Sequence, residues 1–379
     1  MKALLISFIT ILFLFSFGFG QDQIVFNANS GSPVLKKEAR VLKIKKVLTL
    51  DGDSDLYQFK DPERFDIGED GSIFVLDWNR ALYKFSAEGK FQMNLFKKGE
   101  GPGELKHLFR FFLTKLEVIQ YCHFPNKIVI KNFRGELQHN NSIPEKGPLS
   151  LIGVDGNTYI FSKNSPLNFL KNITDKLQEI SYKNYFYNWR SGEKVVTRGK
   201  IFYTEYGRFK KYPGGGMTGS RSPANVFTIS NVKNGLVYFI NSFDYKVIKL
   251  NIHDLKIKKE FGRPFQSVNY FHPLDYIEMM KKEKQQVKKP EKKYFQAVQK
   301  LFNRKDELWA ITSTFEKGKG ILVDVFSHDG VYKDKFFLPL PEITSPHFPE
   351  FNIVENKIII LGKDEDENHI VNIYEIQNR

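Results

Sequence analysis

The sequence predicts an all-β chain: a six-bladed β-propeller of four-stranded antiparallel blades, its last blade completed by the N-terminal strand, with one inserted helix. Three observations predict this. Short aromatic and β-branched runs are punctuated by Asp-Gly, Asn-Gly and Glu-Gly pairs, the pattern of tight hairpins. The pattern recurs at the spacing of a four-stranded repeat. One strand near the N-terminus has no partner beside it, and the last repeat lacks its fourth strand.

Composition points the same way. Of 379 residues 15% are aromatic, with 36 Phe and 17 Tyr, and flat rings pack well on pleated surfaces. Charged residues make up 26%, so the chain is no disordered tail. A single cysteine, Cys122, excludes an internal disulfide, and the core alone must hold the fold. It ends the apolar run Val118–Tyr121 and is expected as a buried structural thiol.

Residues 1–20 read as a signal peptide. Lys2 gives the positive start, Ala3–Phe17 the apolar run, and Gly18 and Gly20 the small residues before a cut ahead of Gln21. The run is short for a spanning helix of about 20 residues, and no Cys follows it to carry a lipid. The mature chain is therefore expected in the periplasm, in the cell envelope or secreted. Residues 21–39 lack periodicity and are expected to form a flexible leader, with the propeller over 40–379.

The net charge is +14, and removing residues 1–20, which hold one Lys and no acid, leaves +13. A basic balance suggests anionic partners. Export argues against nucleic acid and leaves an anionic glycan, a cell-surface polymer or a phospholipid surface. A monomer is expected.

Arg40–Leu50 reads as one edge strand with Lys on its wet face. The first blade is Arg64–Gly68, Ser72–Leu76, Ala81–Phe85 and Phe91–Phe96. The second runs Leu108–Leu113, Glu117–Cys122, Lys127–Phe133 and Glu136–Asn140. The third is Leu149–Val154, Thr158–Ser162, Tyr185–Trp189 and Lys194–Thr197. The fourth is Val226–Ser230, Leu236–Ile240, Lys246–Leu250 and Lys256–Glu260. The fifth is Phe295–Phe302, Leu308–Thr312, Ile321–Phe326 and Tyr332–Phe337. The sixth offers only Glu350–Val354, Lys357–Leu361 and His369–Ile376. If Arg40–Leu50 fills the vacant place, the ring closes and no sheet edge stays open. The long gaps between repeats are read as insertions at 164–184, 201–224 and 263–293. Within the last, Pro273–Lys289 has Leu274, Ile277 and Met280 at helical spacing, with Pro290 as the stop.

These residues resemble the six-bladed propellers of the NHL-repeat type, in particular exported bacterial propeller proteins with a GxGPGEF-like inter-blade loop. Asp77–Phe85, DWNRALYKF, is similar to the repeat's D-x-x-N-x-R-I-x-x-F segment with one residue missing, and Gly99–Leu105, GEGPGEL, is similar to the loop. The resemblance covers Arg40–Ile376. It implies a binding scaffold, a lyase or a lactone hydrolase, and does not choose among them.

In a four-stranded meander the second-to-third-strand turn and the link to the next blade lie on one face. All three insertions are of those kinds, so one face is loop-rich and is where function is expected. A ligand or exported protein partner on that face is the favoured reading, with an anionic or carbohydrate-like ligand. The candidate contacts are Asp77, Trp78, Arg80, Glu104, Arg208, Tyr212, Arg221 and Arg263. Glu104 also has a structural reading, capping amides of its own loop. Lys281–Lys293 offers a basic surface for acidic partners or lipid head groups. No cofactor is expected. The alternative is a metal-dependent lyase or lactone hydrolase, with His107, His272 and His347 converging at the axial mouth on one divalent ion.

Overall fold

Six small antiparallel sheets stand in a ring, each sheet one blade. The computed structural model describes residues 25–77, 81–123, 125–145, 149–165, 178–193, 196–211, 217–221, 227–241, 244–283, 286 and 293–377. Blade 1 is Pro62–Ile67, Ile73–Asp77, Ala81–Phe85 and Phe91–Asn94. Blade 2 is Arg110–Leu113, Glu117–His123, Asn126–Asn132 and Leu137–Ser142. Blades 4 and 5 are built around Phe227–Ile229 through Ile257–Gly262 and Val298–Asn303 through Tyr332–Leu338. The Asn234-Gly235 hairpin shows why the punctuation was readable. Both residues have positive φ, 52° and 68°, as a two-residue turn matched to strand twist requires.

Blade 6 is Phe351–Val354, Lys357–Lys363, His369–Gln377 and, as its outer strand, Lys43–Leu50. Lys43 lies opposite Gln377 and Leu50 opposite Val371, antiparallel. The expected N-terminal closure is present.

The core is divided among the seams. Six apolar clusters among the described residues each join two neighbouring blades. Phe74, Leu76 and Val129 tie blades 1 and 2; Ile130, Leu151 and Trp189 tie 2 and 3; Ile160, Phe239 and Leu250 tie 3 and 4. Tyr238, Phe261 and Phe326 join 4 and 5, Trp309, Phe336 and Ile360 join 5 and 6, and Val75, Phe85 and Ile373 join 6 back to 1. No blade can bury both faces alone, so closure of the ring is closure of the core. Lysines at the seams add polar ties. Lys84 and Lys249, each on the third strand of its blade, donate to the Phe133 and His328 carbonyls of the next blade at 2.9 Å.

Two expectations are corrected. The leader over 21–39 is not a loose tail from Val25 onward. Phe26–Asn27 adds as a parallel fifth strand to blade 4, and Arg40–Val41 adds likewise to blade 5. Asn29 clasps both blades: its side-chain amide donates to the Gly262 carbonyl at 2.8 Å and the Gly330 carbonyl at 3.0 Å, and its oxygen accepts from Tyr332 N. These pieces are two residues long, too short for any periodicity. In blade 3 the described parts of the insertions at 164–184 and 201–224 are strand. Gln178–Arg190 pairs with Thr197–Lys211, and Met217–Arg221 pairs outside it, making a long β-arm. Its fourth strand is therefore Thr197–Lys211, not Lys194–Thr197.

The inserted helix is Leu274–Lys282. Most of the basic stretch beyond it lies outside the described residues. Cys122 is fully buried between blades 1 and 2.

Candidate functional site

The innermost strand of every blade faces the axis, and together they line a channel of about 600 Å³. Arg64 comes from blade 1, Arg110 from blade 2, Ile152 from blade 3, Thr228 from blade 4, Lys300 from blade 5 and Asn352 from blade 6. Arg64, Arg110, Lys300 and Glu350 sit at or near the starts of their strands, which open toward the loop-rich face.

The channel is charged, and confinement shows in its ionisation. Burial pushes the Arg110 guanidinium down to about 9, with the charge of Arg64 adding to the fall. Partial loss of solvent also lowers Arg64 and Lys300 and raises Glu63. Deeper in, burial lifts the Asp66 carboxyl to about 7, partly opposed by a hydrogen bond from Ile67 N at 2.9 Å. Lys300 Nζ lies 2.8 Å from Glu350 Oε2 and 3.1 Å from the Phe351 carbonyl.

Beside the channel mouth, a groove of about 950 Å³ lies between the link that carries the helix and the link from blade 5 to blade 6. Its wall is aromatic. Phe295 packs 4.8 Å from Tyr270, 5.3 Å from Phe271 and 4.9 Å from His347, centroid to centroid. Phe271 is 43% exposed. His347 Nε2 donates to the Phe271 carbonyl at 2.7 Å, which fixes the ring against the wall. Gln296 and Gln299 line both groove and channel, so the two spaces adjoin.

The residues singled out in the sequence divide into several groups. Asp77 is fully buried, and its two oxygens accept from Lys60 N and Asp61 N at 2.8 Å each; it holds the link entering blade 1. Glu104 pairs with Lys97 at 2.8 Å and accepts from Gly101 N at 3.1 Å, while Lys127 Nζ donates to the Gly101 and Glu104 carbonyls. The GEGPGEL loop is thus wrapped around an ammonium of blade 2, and its structural reading fits. Arg263 is held by Asp324 between blades 4 and 5 and stacks 4.9 Å from the Tyr245 ring. The polar groups of these three are matched within the scaffold. Trp78, Arg80 and Tyr212 lie outside the described residues. Arg208 and Arg221 sit opposite Ser220 and Gly207 on the β-arm of blade 3, away from the innermost strands.

The three histidines do not share one neighbourhood. His272 and His347 both approach Tyr270, at 5.9 and 5.5 Å, whereas His107 lies beside Phe109 at the entry to blade 2. Among the described residues no group of three His, Cys, Asp or Glu side chains could hold a metal ion. The axial arginines went unnoticed in the sequence, although a signal existed. Arg64-Phe65, Arg110-Phe111 and Lys300-Leu301 place a basic residue before an apolar one on three first strands.

No protein-family model and no curated protein matches the chain. Solved structures do. An inferred exported protein of Bacteroides fragilis NCTC 9343 superposes with a TM-score of 0.50 at 14% identity, covering 89% of this chain and 96% of that one. A member of the duf4221 family from Bacteroides vulgatus ATCC 8482 superposes with a TM-score of 0.51 at 12% identity, covering 90% of this chain and 100% of that one. The six-bladed propeller is therefore shared, at identities that carry the fold and no more. Among the described residues no helix is long and apolar enough to cross a membrane.

Proposed function

We propose that this chain is an exported binding scaffold that holds a carbohydrate-like ligand on its loop-rich face. The observation that carries this reading is the aromatic groove of Tyr270, Phe271, Phe295 and His347. Aromatic faces pack against the C–H faces of sugar rings, and a concave apolar wall with a few convergent polar groups is the usual form of a small-ligand site. The groove is built on links between rigid blades, where recognition commonly sits. The signal-like segment over 1–20 and the exported character of the Bacteroides fragilis neighbour support export. The test is glycan-array and calorimetric binding by the mature chain from Gln21 onward. Phe271→Ala is expected to weaken any bound glycan at least tenfold with melting temperature unchanged. Absence of glycan binding, or full binding by Phe271→Ala, would refute it.

A further inference from the structure

Two guanidiniums share the channel mouth, and neither is paired with a carboxylate among the described residues. Each carries five N–H donors. Arg110 Nη1 donates to the Leu151 carbonyl at 3.0 Å, and no donor of Arg64 meets an acceptor among the described residues. The carboxylates of the mouth do not resolve this. Glu350 is taken by Lys300 at 2.8 Å. Glu350 also faces Arg64 and Glu63 faces both guanidiniums, so two carboxylates stand against three cations, Arg64, Arg110 and Lys300. Arg64 and Arg110 repel one another across the mouth, Arg110 half-buried and Arg64 still open to solvent. An oxyanion would relieve this repulsion and meet the unmatched donors, because the planar fork of arginine matches two oxygens of a carboxylate or sulfate.

We propose that Arg64 and Arg110 bind the oxyanion of an acidic sugar whose rings lie in the adjoining aromatic groove. Gln296 and Gln299 form the shared border along which such a ligand would run. The positive balance of the whole chain, +14, favours an acidic partner. The sugar part of this inference rests on the scaffold reading above; the oxyanion part rests on the channel alone.

The test is calorimetric titration of the mature chain, in low-chloride buffer, with sodium sulfate, trigalacturonate and the neutral methyl ester of trigalacturonate. An acidic probe is expected to bind one to one, with the neutral ester at least tenfold weaker. Preference for trigalacturonate assigns a uronate; preference for sulfate assigns a sulfated sugar. Arg64→Gln and Arg110→Gln are each expected to weaken the acidic probe at least tenfold, with Arg64→Lys intermediate. If Arg110→Gln fails to fold because its bond to Leu151 is lost, Arg64→Gln decides, since that side chain holds no protein hydrogen bond among the described residues. Failure of both acidic probes to bind the wild-type chain, equal binding of acid and ester, or acid binding unchanged in folded Arg64→Gln, overturns the inference. Sulfate binding that survives Phe271→Ala while no sugar binds would leave the oxyanion site standing and remove the carbohydrate reading.

Discussion

Arg263 and Asp324 form a buried ion pair across the seam between blades 4 and 5, with Nε and Nη2 both 2.7 Å from Oδ2. Tyr332 donates to the other oxygen, Oδ1, at 2.6 Å, and Tyr245 also donates to the carboxylate. The network satisfies a charge that has no access to water. Removing either partner would strand the other. Arg263→Ala and Asp324→Ala are each expected to cost about 3–5 kcal/mol, measured by urea unfolding, and the double variant to cost less than the sum.

Asp77 is expected to act on stability and not on binding. Asp77→Ala exposes two backbone amides of the Lys60-Asp61 link to an unfilled space, a loss of about 1–3 kcal/mol. Calorimetry with any ligand of the groove should give an unchanged affinity.

Gly330 sits at φ +73°, and an added Cβ would meet the Phe261 ring at 2.6 Å. Gly330→Ala therefore combines left-handed backbone with a clash in the seam between blades 4 and 5. A fall in melting temperature is expected, larger than for Gly192→Ala, where φ is +91° but a Cβ would meet nothing within 4 Å.

The Asp66 carboxyl titrates near 7 in the fold against an ordinary 3.8. Between those values the folded chain binds more protons than the unfolded chain, so this residue's contribution to stability falls as pH rises through the window. Asp66→Asn is expected to flatten that decline. Unfolding curves collected from pH 4 to 8 on both proteins check it.

The blades were legible in the sequence because each local signal agrees with the global ring. Asn234-Gly235 demands a tight turn, and the apolar run Leu236–Ile240 demands a sheet buried on both faces. The missing strand after His369–Ile376 pointed to Arg40–Leu50. The β-arm was not legible, since residues such as Lys183, Glu205 and Lys210 interrupt any simple alternation. The site was poorly legible for another reason. Asp77, Glu104 and Arg263 look functional as isolated charges, and only the folded chain reveals the amides, ammonium and carboxylate they serve. Arg64 and Arg110 lie 46 positions apart, and only ring geometry brings them into one mouth.

The pairing of Lys43–Leu50 with His369–Gln377 also sets an order of events. The ring is locked by two segments from opposite ends of the chain, so loop-closure entropy must be overcome almost in full before the last seam forms. Five blades can assemble while the sixth waits with an open edge. Closure is thus the natural late step of folding, and the half-closed ring is the species most prone to pair with a second chain. A chain that crosses a membrane unfolded would meet this hazard only after its C-terminal strand has arrived.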